Sequence, residues 1–273
     1  MPGSRIHATR ETLFSIEHQP AGGGSDPALL VVLVHGSLDR ATSFTRVLRR
    51  LEDMHVIAYD RRGYHRSRPT EVPAGPPAEL SGHVDDLLEI ISGRPSVVVG
   101  HSYGGDVAIG AALLDPAAVR AVVAYEPPLP WCEWWPQRSR APLDGEDPTT
   151  FAEGFFKRIV GEAAWDRLTE RDRDERRADG PALLAELAGI RRGGAPFDPA
   201  WITVPAVFGR GGKSVPHHRR AAATLAAGAP HGELFEIPGA GHGAHLSHPE
   251  AFAQMVRLAL RRAGEHAANP PLP

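Results

Sequence analysis

Ser96-Val97-Val98-Val99-Gly100-His101-Ser102-Tyr103-Gly104 starts as a β-branched run and ends in Gly-x-Ser-x-Gly. Asp106-Val107-Ala108-Ile109-Gly110-Ala111-Ala112-Leu113-Leu114 follows and reads as an apolar helix. Strand, tight turn and helix in that order are the context of a nucleophile elbow. The turn is too sharp for side chains two residues either side of Ser102, hence a glycine at both places. The serine hydroxyl then projects above the sheet edge. The first free N–H groups of the helix point at the same spot and favour a developing negative charge. Gly-x-Ser-x-Gly is common by chance, and alone it describes any strand-to-helix turn. The flanking strand and helix are what favour the catalytic reading.

Outward from this turn the pattern repeats. Leu29 to Val34 is a continuous apolar run, as in a strand buried on both faces of a parallel sheet. Ser43 to Leu51 has helical spacing, and His55 to Tyr59 reads as a strand. Ser81 to Ile91 reads as a helix with Ser81 as N-cap, and Val119 to Tyr125 as a strand. Before these, residues 1 to about 10 read as a loose start. Glu11 to Glu17 reads as an edge strand, and Gly22-Gly23-Gly24-Ser25-Asp26 as a turn. Glu71 to Pro77 is Pro-rich and reads as loop. Strands alternating with helices imply right-handed crossovers, so the expected fold is α/β with a mostly parallel, doubly wound sheet.

The alternation stops at Glu126-Pro127-Pro128-Leu129-Pro130-Trp131, which can neither extend a strand nor enter a helix. Helices are expected at Thr149 to Val160, Glu162 to Leu168 and Pro181 to Ile190, with a charged helical segment over Thr169 to Asp179. Strand character returns at Val204 to Gly209. A helix over His217 to Ala227, a strand over Glu233 to Ile237 and a helix over Pro249 to Ala263 follow, before a Pro-rich tail at Asn269 to Pro273.

The composition fits one domain with a large insertion. There are 273 residues, 42% of them hydrophobic. A formal net charge of −3 gives no reason to expect nucleic acid or an anionic membrane as partner. No apolar run approaches the length of a membrane span. The single cysteine, Cys132, excludes an intramolecular disulfide. With no apolar leader at the N-terminus, a cytoplasmic location is the expectation.

Four motifs in order resemble the α/β-hydrolase superfamily over nearly the whole chain. Val31-Val32-Leu33-Val34-His35-Gly36-Ser37 resembles the strand and His-Gly turn that carries the oxyanion hole. Tyr59-Asp60-Arg61-Arg62-Gly63-Tyr64-His65-Arg66-Ser67 resembles the family's D-x-R-G-x-G-x-S turn, a structural brace for that loop. The elbow is the third motif, and Gly239-Ala240-Gly241-His242 resembles the histidine loop. The resemblance implies a hydrolase core of residues 1–128 and 204–273 and a helical cap of residues 129–203. It also implies an oxyanion hole from the N–H groups of Tyr103 and Ser37, with Leu38 as the fallback donor. His35, Gly36, Leu38 and His101 are then expected beside the substrate. Trp131, Trp134 and Trp135 open the cap and are expected to line its entrance or to dock it on the core.

A serine hydroxyl needs a general base. His242, directly after the last strand, is favoured over its neighbours His245 and His248; the other histidines read as surface or structural. The acid is where the chain departs from the family pattern. Most members carry an Asp about four residues past the strand that here is Val204 to Phe208, and Gly212 stands at that place with no carboxylate nearby. Glu126 is the favoured substitute, since it follows the strand after the elbow helix and a minority of the family takes its acid there. Asp198 and Asp106 are weaker candidates. Gly212-Lys213-Ser214 lacks the upstream glycine of a phosphate-binding loop, and no His/Cys spacing argues for a metal.

The reading is therefore a serine hydrolase that cleaves a small hydrophobic carboxylic ester or related acyl substrate through Ser102, His242 and Glu126, with no cofactor. An aspartate at position 102 would instead suggest haloalkane or epoxide chemistry. Carbon–carbon bond, lactone or thioester hydrolysis and acyl transfer use the same parts, and the fold does not choose among them. A catalytically silent binding protein is the rival from another class, motivated by Gly212. Monomer and homodimer are both compatible with the sequence.

Overall fold

The computed structural model describes the backbone of residues 5–9 and, in full, residues 13–20, 29–69, 79–139, 141 and 143–268. The expected turn at Gly22 to Asp26, loop at Glu71 to Pro77 and tail at Asn269 to Pro273 lie outside the described residues. The strands are β1 (Arg5–Thr9), β2 (Leu13–His18), β3 (Leu30–Val34), β4 (Val56–Tyr59), β5 (Ser96–His101), β6 (Val119–Tyr125), β7 (Ala206–Gly211) and β8 (Gly232–Ile237). The helices are α1 (Thr45–Leu48), α2 (Leu80–Ile91), α3 (Tyr103–Leu114), α4 (Pro148–Val160), α5 (Glu162–Asp166), α6 (Glu170–Ala178), α7 (Gly180–Arg192), α8 (Pro216–Gly228), α9 (Ala244–Ser247) and α10 (Pro249–Ala268).

One sheet takes all the strands in the order β1-β2-β4-β3-β5-β6-β7-β8. The pairs from β4 to β8 are parallel, and β2 pairs antiparallel with both β1 and β4. The β-branched runs form the central strands because both sheet faces are covered. Val32, Val34, Val98, Val122 and Ala124 pack on one face with α2, α3 and α8. Their neighbours Val31, Leu33, Val97, Val99, Ala121 and Val123 pack on the other face with α1 and α10. The helix α3 is apolar on all sides and almost wholly buried, as its composition demands.

Strand order reverses between β3 and β5, which lie side by side while the chain winds outward from each. The loops leaving their carboxyl ends part at this point and leave a crevice. Ser37 follows β3, Ser102 follows β5, Glu126 follows β6 and His242 follows β8, so one sheet edge carries them all. Between β6 and β7 stand α4 to α7, with no strand among the described residues. Leu38 and Tyr64 of the core pack there with Phe156, Trp165 and Leu183 of the insertion.

Several boundaries differ from those read in the sequence. The start is not loose, since Arg5–Thr9 pairs in register with Leu13–Glu17. Ser43 to Leu51 is not one helix. A 3-10 turn at Ala41–Phe44 leads into the single helical turn α1. Ser81 is not an N-cap, because α2 begins at Leu80 with Glu79 before it. No helix among the described residues is long and apolar enough to cross a membrane.

Candidate active site

The site is built on backbone that ordinary residues avoid. Among the described non-glycine residues, positive φ occurs at Leu38 (53°), Ser102 (52°) and Glu126 (49°), with His65 and Ser92 the others. Such conformations cost on the order of 1–3 kcal/mol each and persist where the surroundings enforce them. Ser102 is held by its N–H, donated to Tyr125 O at 2.9 Å, and by its carbonyl, which accepts from Gly105 N at 2.7 Å. The flanking glycines are required by crowding. A Cβ on Gly100 would lie 2.0 Å from Gly104 O, and one on Gly104 would lie 2.3 Å from Val34 O. Elbow, α3 and β3 therefore meet backbone to backbone.

Glu126 is fully buried and both of its carboxylate oxygens are engaged. Its Oε1 accepts from Gly211 N at 2.7 Å, and its Oε2 lies 2.8 Å from His242 Nδ1. A carboxylate only accepts, so His242 carries its proton on Nδ1 and turns a bare Nε2 toward the cavity. Through the contact with Gly211, the carboxylate that follows β6 reaches across to the end of β7. Among the described residues Ser102 Oγ makes no side-chain hydrogen bond. Links of this kind commonly tighten only around substrate. Asp198 instead caps a 3-10 turn through Ala200 N at 2.9 Å. Asp106 is buried on α3 without a hydrogen-bond partner, and burial raises its carboxyl well above the usual range.

The loop after β8 is clamped on two sides. Tyr125 Oη donates to Gly241 O at 2.8 Å. His101 Nε2 lies 2.8 Å from His242 O, and since a carbonyl only accepts, this nitrogen carries the proton. Burial drives His101 well below its ordinary value, with His245 and His242 adding to the drop, so it is a neutral donor. His218 stacks on His242 with ring centres 4.5 Å apart, and burial holds it neutral too. Sequence reasoning missed His218. Its only signal was the position of His217-His218 in the first turn after β7.

A cavity of about 520 Å³ joins these groups, lined by Ser37, Leu38, His101, Ser102, His218 and His242 among others. Tyr103 opens α3, so its N–H is one of the four without an intrahelical acceptor. Its ring is buried elsewhere. Two expectations about the lining are corrected. His35 does not face the cavity. It is buried with Nδ1 donating to Gly36 O at 2.7 Å and Nε2 accepting from Arg61 N at 2.8 Å. Burial and then Arg61 lower its pKa to about 4. Gly36 is a spacer as well, since a Cβ there would lie 2.9 Å from Ser102 Cβ. Of the three tryptophans Trp135 lines the cavity, but Trp131 and Trp134 do not. Trp131 packs edge-on against Phe197 at 5.4 Å, and Trp134 lies under Arg220 at 4.6 Å. A second, more open groove of about 660 Å³ between α2, α3 and α7 holds none of the residues named for catalysis.

Two sets of donor atoms, each within 4.8 Å of one another, could hold a cation. One is Asp39, His101 and His245, and the other is Glu126, His218 and His242. In each set a carboxylate already engages a histidine, at 3.2 Å for Asp39–His245 and 2.8 Å for Glu126–His242.

A sheet with its switch-point crevice, a serine on a strained strand-to-helix turn and a carboxylate–histidine pair on the same edge define the α/β-hydrolase class. The chain belongs to the α/β-hydrolase family, whose sequence model matches residues 31–255. It is 31% identical over 133 residues to the uncharacterized hydrolase YraK of Bacillus subtilis, a match covering 47% of this chain and 43% of that protein. It is 32% identical over 113 residues to the lipase LipV of Mycobacterium tuberculosis, covering 40% and 41%. The chain thus matches less than half the length of these curated relatives. An esterase structure from Thermogutta terrifontis superposes with a TM-score of 0.68 at 22% identity, over 95% of this chain and 97% of that one.

Proposed function

We propose that this protein is a serine hydrolase that cleaves carboxylic esters through Ser102, His242 and Glu126 and an acyl-enzyme. The observation that carries the reading is the 2.8 Å contact between the buried Glu126 carboxylate and His242 Nδ1. Ser102 Oγ attacks the substrate carbonyl while His242 Nε2 takes its proton, and Glu126 stabilises the imidazolium. The N–H groups of Tyr103 and Ser37 receive the oxyanion, with Leu38 N as the alternative donor. Collapse of the tetrahedral intermediate expels the alcohol, which takes the proton from His242. Water, deprotonated by His242, then attacks the acyl carbon and releases the acid and the free serine.

The test is labelling with a fluorophosphonate. Rapid labelling of the wild type that vanishes in Ser102→Ala and collapses in His242→Ala supports the reading. A wild type that stays unlabelled by a small probe, with no ester turnover, makes the chain a binding protein.

A further inference from the structure

Among the described arginines of the insertion, Arg138 and Arg167 are exposed, lie outside the cavity and have no ion pair, and the rest divide into two kinds. Arg171, Arg173, Arg177 and Arg192, which do not line the cavity, each pair with a carboxylate within 3.4 Å. Arg158, Arg176 and Arg191 line the cavity, and none has an ion-pair partner among the described residues. Asp39 is the one carboxylate among the described residues that lines it. That group is already engaged by His245 and by Ser43 Oγ, at 3.2 and 3.0 Å.

The three unpaired cations differ in what they do. Arg176 donates to Leu38 O and so holds the loop after β3. Arg158 ends α4 and Arg191 ends α7, two helices that pack together. Arg158 lies over the Phe155 ring at 5.3 Å, and Arg191 donates one N–H to Ala141 O at 3.0 Å. Most of their donor capacity is unused. Helix C-termini favour cations, but a helix dipole supplies no counter-ion. Burial lowers the proton affinity of both groups, with Arg138 adding to the effect at Arg158 and Arg158 adding to it at Arg191, where Glu146 offsets only part of the drop. Arg177, Arg257 and Arg262 show the opposite displacement, because each is hydrogen-bonded to a carboxylate. The same cavity that Ser102 and the arginines line is also lined by apolar Phe155, Phe156, Ile159, Leu187 and Ile190.

We propose that Arg158 and Arg191 form an anion-binding subsite, and that the substrate is an ester whose acyl arm ends in a carboxylate or phosphate. The apolar wall takes the hydrocarbon of that arm, and the planar guanidinium forks take the anion. The ester part rests on the serine-hydrolase reading, while the anion part rests on the two arginines alone. The expected substrate therefore differs from a plain hydrophobic ester at one end.

The experiment compares p-nitrophenyl monoesters of glutaric, adipic and suberic acid, and an ω-phosphorylated analogue, with neutral p-nitrophenyl esters of equal chain length. The enzymes are wild type, Arg158→Gln/Arg191→Gln and Arg167→Gln, an exposed arginine of the insertion outside the cavity. A charged ester preferred by tenfold or more in kcat/KM, with the preference lost in the double variant and kept in Arg167→Gln, supports the subsite. The better of the carboxylate and phosphate arms identifies the anion. Neutral esters preferred at every length, or a preference that survives the double substitution, overturns it. Binding of suberate and of octyl phosphate to Ser102→Ala by calorimetry separates the two proposals. Binding that disappears when both arginines are replaced keeps the subsite even where no ester is hydrolysed, and no binding removes it even where neutral esters are.

Discussion

In the proposed relay, the side chain of Glu126 decides whether His242 can act as a base. The Oε1 oxygen is held by Gly211 N, which leaves Oε2 to fix the Nδ1–H tautomer. Glu126→Gln preserves shape and the Gly211 contact, but its amide offers a donor where His242 also has one. The imidazole then shifts its proton to Nε2 and cannot accept from Ser102. Turnover should fall on the order of 10³- to 10⁴-fold with KM and melting temperature nearly unchanged. A fall of less than tenfold, measured on any ester the wild type turns over, removes Glu126 from the relay. This residue was legible because Gly212 announced a vacancy and the strand order offered one alternative carboxylate on the same edge. His218 was not legible, because stacking on His242 depends on how β7 and β8 turn their loops toward each other, which no local pattern encodes.

Elements carry the connection between insertion and core. Arg61, after β4, donates from Nη1 to Glu186 of α7 at 2.8 Å, and both side chains are fully buried. The same Arg61 donates from Nε to His35 O at 2.8 Å, so α7 is tied through it to the loop that follows β3. On α6, Glu175 pairs with Arg40 at 3.2 Å, and Arg68 pairs with Asp179, just past that helix, at 3.0 Å. Removing one member of a buried pair strands the other charge, at about 3–5 kcal/mol. Glu186→Ala should therefore lower the unfolding free energy in urea by about that amount, and Arg61→Met/Glu186→Leu should recover a large part of it. Equal losses in the single and double variants would mean that the pair is not what joins the two parts. The helices of the insertion were readable from spacing and caps, as with Asp147 accepting from Thr150 N at 2.8 Å. Their attachment was not, since Arg61 reads in the sequence only as part of the brace for the His-Gly loop, and nothing local links it to Glu186, far away in the chain. The central strands were readable for the opposite reason, because burial on both faces leaves an unbroken apolar run. The short pairing of β1 with β2 carries no such run.

For the whole molecule, the consequence of enclosing histidines so deeply that burial outweighs the carboxylates near them is acid sensitivity. Burial lowers His35 to about 4, with Arg61 adding to the drop. His83, His101 and His218 are also held well below their ordinary value, burial again being the main cause. The unfolded chain binds protons on these rings near pH 6.5, while the folded chain refuses them, so between about pH 6.5 and 4 the unfolded state holds more protons. Stability therefore rises with pH through this window and is lost as pH falls through it. For His35 alone, the distance from 6.5 to about 4 corresponds to roughly 3 kcal/mol. Asp106 acts in the other direction, because its raised carboxyl keeps a proton that the unfolded chain releases above about pH 4. Asp179, its carboxyl also raised by burial, does the same, but these two stand against six lowered histidines once His217 and His266 are counted, so acid loss should dominate. Urea midpoints measured from pH 7.5 down to pH 4.5 should fall most steeply below pH 6.5. His35→Gln should start less stable at pH 7.5, because it gives up a paired buried ring, yet show a shallower slope, because Gln does not titrate. Midpoints flat across the window would mean that the four rings keep enough solvent contact to protonate in place. An unchanged slope in His35→Gln would move the acid sensitivity to the histidines around His242, where it would appear as loss of activity before loss of fold.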